Sequence, residues 1–556
     1  MQKTLFVTTL LLTAPLCAEF PLDVSGNILY LVHRGSAKTA LERYVEQVHA
    51  TSQHDYLLLQ QIGLAILEEG ASSGDPEIEV MTLLGAGVSL SSRLIPILEQ
   101  GLKSEDPRLQ LIALNFLSKI NDDEVDHLLL SALSSPFLLT RLEALYQLSL
   151  KRHPSVLEHL QSLFVKIPDP IRPLFAQIVV NLDSLSANQM MRQLLSDHDL
   201  TTRCEAILAI AEKQRDDFLP QIRTLATQTQ VTQQECVAST LGQLKDRSSI
   251  PLLQTMAHAR QRNVALAASF SLYQIGDKTY LPLIFEAAQQ HDLVALTMLA
   301  QIPLPQSADL LAQLCHCSDK DVELGAALAL LDMRDSRCFD TIKEVLLSEK
   351  DSIGYVLSRP PGRAAAVWRT VLSAPYKEQS YPGILQQSAA LRHQILVSCV
   401  ELPEHQFLNL AEALFDAQIK SLVPVLVELL ANHHSEDTLA LLKKQSKTNP
   451  SDFIKTSCLL ALYRSSEEGD YEHQLIDWVK KRNQTMMIRF EAPSSAERAC
   501  HQSLSAEEES ALLIETYESL ASTQSQAGIE ALLNAIAYGN VKNRYALAGL
   551  LIRTAE

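Results

Sequence analysis

The stretch IPLLQTMAHARQRNVALAASFSLYQIGDKTYLP, residues 250–282, decides the fold. It opens on Ile250-Pro251 and closes on Leu281-Pro282, so the same apolar-Pro pair returns after 31 residues. Between the pairs lie two apolar segments at helical spacing, Ile250–Met256 and Ala265–Leu272. With their flanks such segments run to about 10–14 residues, too long for propeller strands and typical of helices. A proline is tolerated in a first helical turn, where its missing amide has no partner anyway.

The same beat runs outward in both directions. Pro96, Pro220, Pro251 and Pro282 are spaced by 124, 31 and 31 residues, and 124 is four periods. A second, independent pattern is a residue after a turn, then Ala three positions on, then an apolar residue seven on. It gives Arg141/Ala144/Leu148, Arg203/Ala206/Ile210, Asp292/Ala295/Leu299 and Glu323/Ala326/Leu330, with looser copies from Glu79, Arg108, Arg172, Glu235 and Val264. Asp75-Pro76, Asp106-Pro107 and Asp169-Pro170 fall just before second helices, each joining a capping acceptor to a residue that fixes the chain's approach. A helix pair of this size cannot bury its apolar face alone, so stacking must complete the core. The expectation is an all-α fold, an α-solenoid of stacked antiparallel helix pairs.

These motifs resemble the short HEAT repeat, including the bacterial PBS-lyase-like type also found in bilin lyases. The clearest copy runs from Ala267 through Ile275-Gly276-Asp277-Lys278 to Leu281-Pro282-Leu283. The resemblance covers residues 71–350 well. It departs from the family where Glu79, Glu235, Asp292 and Glu323 replace the usual Arg, which puts a continuous Arg–Asp ladder in doubt. What the resemblance implies is protein binding; a cofactor-attachment lyase is the enzymatic alternative within the same repeat class.

Composition agrees with a helical reading. The chain has 18 Gly and 23 Pro in 556 residues, 47% apolar residues and 5% aromatics. Lys and Arg number 47 against 65 Asp and Glu, a formal charge of −18, which makes the chain a poor general binder of nucleic acid. Residues 1–18 carry Lys3, an apolar run from Leu5 to Ala14 and the small Ala18, the layout of a secretory signal peptide. Cys17 leaves a lipoprotein open, although Leu16 is not the small residue that precedes a lipidated cysteine. No other apolar stretch reaches 18 residues without a charge, so no membrane span is expected once the leader is removed. The address this implies is the periplasm or envelope of a Gram-negative bacterium.

The organisation read from the chain is a leader at 1–18, an N-terminal helical cap at 19–70, regular repeats at 71–350, a Pro-rich break at 351–383, degenerate repeats at 384–490, and a linker with a C-terminal cap at 491–556. Weak register returns at Arg392 and Lys455, Ser505 to Glu508 reads as a capping box, and Asn540–Ala546 reads as one more repeat start.

No catalytic constellation is present: the sequence lacks a phosphate loop, a nucleophile elbow and a His-Glu-x-x-His. Cys315-His316-Cys317 is the most metal-like cluster, but residues two apart on a helix face different ways, and no second pair follows at finger spacing. No metal and no cofactor is expected. His433-His434, Glu467-Glu468 and Glu507-Glu508-Glu509 read as solvated. Cys204 and Cys236 sit at equivalent repeat positions, about 8–10 Å apart by helix packing and beyond disulfide reach. Cys315 or Cys317 with Cys338 is the least implausible disulfide. The candidate partner contact is the patch Arg363, Trp368, Arg369, Tyr376 and Tyr381 in the break, residue types enriched at binding hot spots. The functional expectation is an exported, non-enzymatic scaffold whose concave surface holds other proteins, including envelope or secretion components. A structural envelope assembly factor is the further alternative.

Overall fold

A computed structural model describes residues 24–51, 53–168, 171–228, 230–348, 392–488 and 506–554. Among these every regular element is helical. The chain is an all-α solenoid. The leader, Asp169-Pro170, the break at 351–383 and Ser505 lie outside the described residues.

The helix starts follow from the motifs. Asp75 and Asp106 cap Pro76–Ser89 and Pro107–Leu117, accepting from the amides of Glu77 and Arg108 at 2.9 and 2.8 Å. Ile95, Leu219 and Ile250 begin their helices after one-turn 3-10 helices at Ser92–Leu94, Asp216–Phe218 and Arg247–Ser249, with the proline in the first helical turn. The ends share the beat too. Gln214, Lys245 and Gly276, spaced by 31, each take positive φ (54°, 51° and 112°) just after a second helix. Only Gly276 holds that conformation without steric cost to a Cβ.

The two helices of a repeat play different parts. Second helices of successive repeats pack directly on one another, except where Arg262–Ile275 meets Leu293–Ala300, whereas first helices of successive repeats barely touch. Second helices therefore form the inner, concave row and first helices fan out on the convex side. Small residues allow the inner contacts. Ala144, Ala206, Ala295 and Ala326 are fully buried, and so are their partners Leu148, Ile210, Leu299 and Leu330. Thr240 donates to the carbonyl of Ile207 at 3.3 Å, and Ser271, one period on, donates to that of Ala238 at 2.8 Å. Beside them a Cβ on Gly242 would meet Ser271 Cβ at 2.5 Å.

Ties between repeats are present but discontinuous. Arg223 pairs with Asp246 at 2.7 Å, Arg262 with Asp292 at 3.2 Å and Arg337 with Asp309 at 2.9 Å, while Arg203 meets Gln233 instead at 2.7 Å. Burial raises the Asp246 carboxyl, but bonds from Arg223 and Ser249 outweigh it and hold the group below the usual carboxylate range. Past the break, Arg392 is fully buried and donates to the carbonyl of Ser348 at 2.9 Å. Helix Glu404–Asp416 then packs on Phe339–Leu347, and the stack continues.

The stack has no free end among the described helices. Residues read from sequence as caps at opposite ends, Tyr56–Ala71 and Asn543–Arg553, lie face to face, and the latter also packs along Pro76–Ser89. Backbone meets backbone there. A Cβ on Gly549 would fall on the carbonyl oxygen of Gly85, one on Gly85 would fall on that of Tyr545, and one on Gly63 would come within 2.7 Å of Ala548 O. Around this seam Tyr538 donates to Glu42 at 2.6 Å, Lys542 pairs with Glu77, and Tyr56 donates at 3.4 Å to the carbonyl of Gln524, 468 residues away. The repeats thus form a closed circuit.

Two outcomes follow for the seam. Gly549→Val should cost about 2 kcal/mol or more, because the obstacle is backbone that cannot move aside. Hydrogen exchange should then quicken in Tyr56–Ala71 and Pro76–Ser89, and exchange confined to the C-terminal helices would mean an open array. His54 also lies at the seam, its Nδ1 3.2 Å from the Tyr44 hydroxyl. Burial pushes its pKa below 6.5, although the Gln526 backbone and Glu530 oppose this. A lowered His contributes stability above pH 6.5 that is lost as pH falls below it. Seam protection factors, which are taken relative to the intrinsic exchange rate at each pH, should therefore be lower at pH 5.5 than at 7.5, and His54→Gln should shrink that difference.

Candidate protein-binding surface

Inner helices are buried on three sides, so their fourth side decides what the concave surface offers. On Leu138–Leu150 the residues Leu142, Leu145 and Leu148 face the core. One helical face away, Leu139 is 64% exposed, Tyr146 39% and Leu150 49%. Their spacing of seven and four residues places them in one stripe pointing away from the outer row. Within the stripe only Glu143 is polar, and it accepts from Gln147 at 2.7 Å.

Neighbouring inner helices extend the surface. Leu174, 50% exposed, begins Pro173–Val179, and Asn181 just beyond donates to Ser149 at 3.1 Å. On the other side Phe116 of Pro107–Leu117 lies over Gly87, with the Lys119 ammonium 5.3 Å from its ring centre. The Gly87 position leaves no room for a Cβ beneath that ring. Large apolar groups left in water on two adjacent helices, with the half-buried Phe116 beside them, mark a surface that gains free energy when covered.

The sequence-based candidates fall elsewhere. Arg363, Trp368, Arg369, Tyr376 and Tyr381 lie outside the described residues. Cys315 is buried in the core, while Cys317 is half-buried with Sγ 3.9 Å from His291 Nε2. Among the described residues no three or more His, Cys, Asp or Glu side chains converge where they could hold a metal ion. His433 ends its helix 3.8 Å from Glu404, His434 follows in the left-handed conformation, and Glu467 pairs with Lys443 at 2.7 Å. Among described helices none is long and apolar enough to cross a membrane.

Cys204 and Cys236, read from the sequence as beyond disulfide reach, are both free thiols. Their mutual interaction draws the Cys204 thiol down and drives Cys236 up. Cys315 and Cys338 are both free thiols. Burial raises Cys315 to about 11 and Cys338 and Cys399 to about 12. The thiolate is the nucleophile that displaces iodide from iodoacetamide, so at pH 8 the exposed part of Cys317 should be carbamidomethylated well before the buried Cys315, Cys338 and Cys399. Peptide mass spectrometry of native and denatured protein would show it; equal labelling of all four in the native state would contradict the burial.

No known protein family matches the chain, and no curated protein is similar to it in sequence. Among solved structures, importin beta in an ammonium sulfate condition is similar at 10% identity, covering 95% of this chain and 80% of its own, with a TM-score of 0.32. A mutant of Kap121p is similar at 11% identity, covering 95% of this chain and 77% of its own, with a TM-score of 0.35. Likeness at these scores is that of one long helical stack to another, and it carries no functional argument.

Proposed function

We propose that the chain is a non-enzymatic scaffold that holds partner proteins against its inner helix row. The observation that carries this reading is the exposed stripe Leu139, Tyr146 and Leu150, flanked by Leu174 and Phe116 on neighbouring inner helices. Covering one such Leu is worth about 1.5–3 kcal/mol, so a few together supply the core of a binding site. The repeat architecture supports the reading, since stacked repeats present a long continuous surface to a partner. The leader-like residues 1–18 support export to a Gram-negative periplasm or envelope, where envelope or secretion components would be the partners.

The test is in-cell cross-linking followed by mass spectrometry of the envelope and cytosolic fractions. Leu139→Ser/Tyr146→Ser/Leu150→Ser should leave the melting curve almost unchanged, because exposed positions change stability by about 0.5 kcal/mol or less. It should lower capture of the main partner about tenfold or more. Retained capture would remove the stripe as the site, and loss on Trp368→Ala instead would move it to residues 351–383. A coloured small molecule carried through purification would favour the lyase alternative.

A further inference from the structure

A second feature lies on the inner row of the opposite half, between Val423–His433, Asp452–Arg464 and Ala506–Ser522. A cleft of about 510 Å³ there has an apolar floor of Pro424, Val425, Leu460 and Leu512. A neighbouring cleft of about 490 Å³ shares Phe453 and Leu512 with it and runs on to Trp478. The two are lobes of one elongated depression, each within the size range of ligand sites.

Its walls are fixed by internal pairs. Arg464 donates to Ser519 at 2.7 Å and to Glu515 at 3.2 Å, clamping Ala506–Ser522 onto Asp452–Arg464. Trp478 donates to Asp452 at 3.1 Å, while Arg482 pairs with the same carboxylate and lies 4.6 Å over the indole. Both arginines are therefore committed. Among the described lining residues Glu428 and Glu509 carry no ion pair, against Lys420 alone on the cationic side. A rim of uncompensated carboxylates around an apolar trough attracts cationic groups and repels anionic ones.

We propose that this double cleft seats an extended peptide segment of a partner protein, with an apolar side chain in each lobe and basic residues over Glu428 and Glu509. It rests on the reading of the chain as a protein-binding solenoid and adds a site separate from the Leu139 stripe. An extended chain suits the shape, since alternate side chains point down into the trough while the others stay at the rim.

The experiment uses the full-length protein with Trp368→Phe, which leaves Trp478 as its one tryptophan. The probes are a dansyl-labelled (Leu-Lys)5 decapeptide and its (Leu-Glu)5 counterpart, with energy transfer from Trp478 as the signal. The basic peptide should bind about tenfold or more tightly than the acidic one. Glu428→Lys/Glu509→Lys should weaken it about tenfold, and Ala511→Phe, at an exposed position in the first lobe, should weaken it without a charge change. Asp122→Lys/Asp123→Lys, on a distant outer helix, should leave it within about twofold. Absent binding, equal binding of both peptides, or equal loss from the Asp122/Asp123 variant would overturn the site. Changing the Leu139 stripe should not affect this titration, so failure here and failure of the scaffold reading are told apart.

Discussion

Everything in this architecture depends on one close approach, that of the backbone at Gly549 to the backbone at Gly85. Two helices can meet with no side chain between them only where both sides supply glycine, and here Gly63, Gly85 and Gly549 do so together. A linear repeat array draws its stability from nearest neighbours, and its ends fray. Joining the last repeat to the first removes both ends. Each repeat then has two neighbours, and loosening any one of them is opposed from both directions.

The repeat was legible in the chain because it is a local property. Ala144, Ala206, Ala295 and Ala326 mark the register and are all fully buried, and the Asp-Pro and apolar-Pro pairs mark the helix starts that form. The closure was not legible, because it is a contact between segments that share no register. One signal did exist. Glycine inside a helix costs about 1 kcal/mol relative to Ala, so Gly63, Gly70 and Gly85 in early helices and Gly549 in the last needed a reason. Close helix approach was that reason.

The binding surface was obscured by the same regularity. Leu139, Tyr146 and Leu150 sit at helical spacing in a repeat whose core residues have the same spacing, so pattern alone cannot say which stripe faces inward. The double cleft depends on Asp452 of one helix meeting Trp478 and Arg482 of the next, and no sequence spacing joins the carboxylate to that pair.

A closed circuit also fixes arithmetic that an open array leaves free. Each helix pair turns the stack through its own small angle, and the sum must bring Asn543–Arg553 back onto Pro76–Ser89. Open solenoids gain or lose a repeat at their ends and stay folded. Here one added or deleted unit of 31 residues would leave the last helix misaligned with the first, separating the glycines that meet at the seam. Repeat number therefore behaves in this protein as subunit number does in a cyclic oligomer: an integer set by closure, with no neighbouring value that preserves the ring.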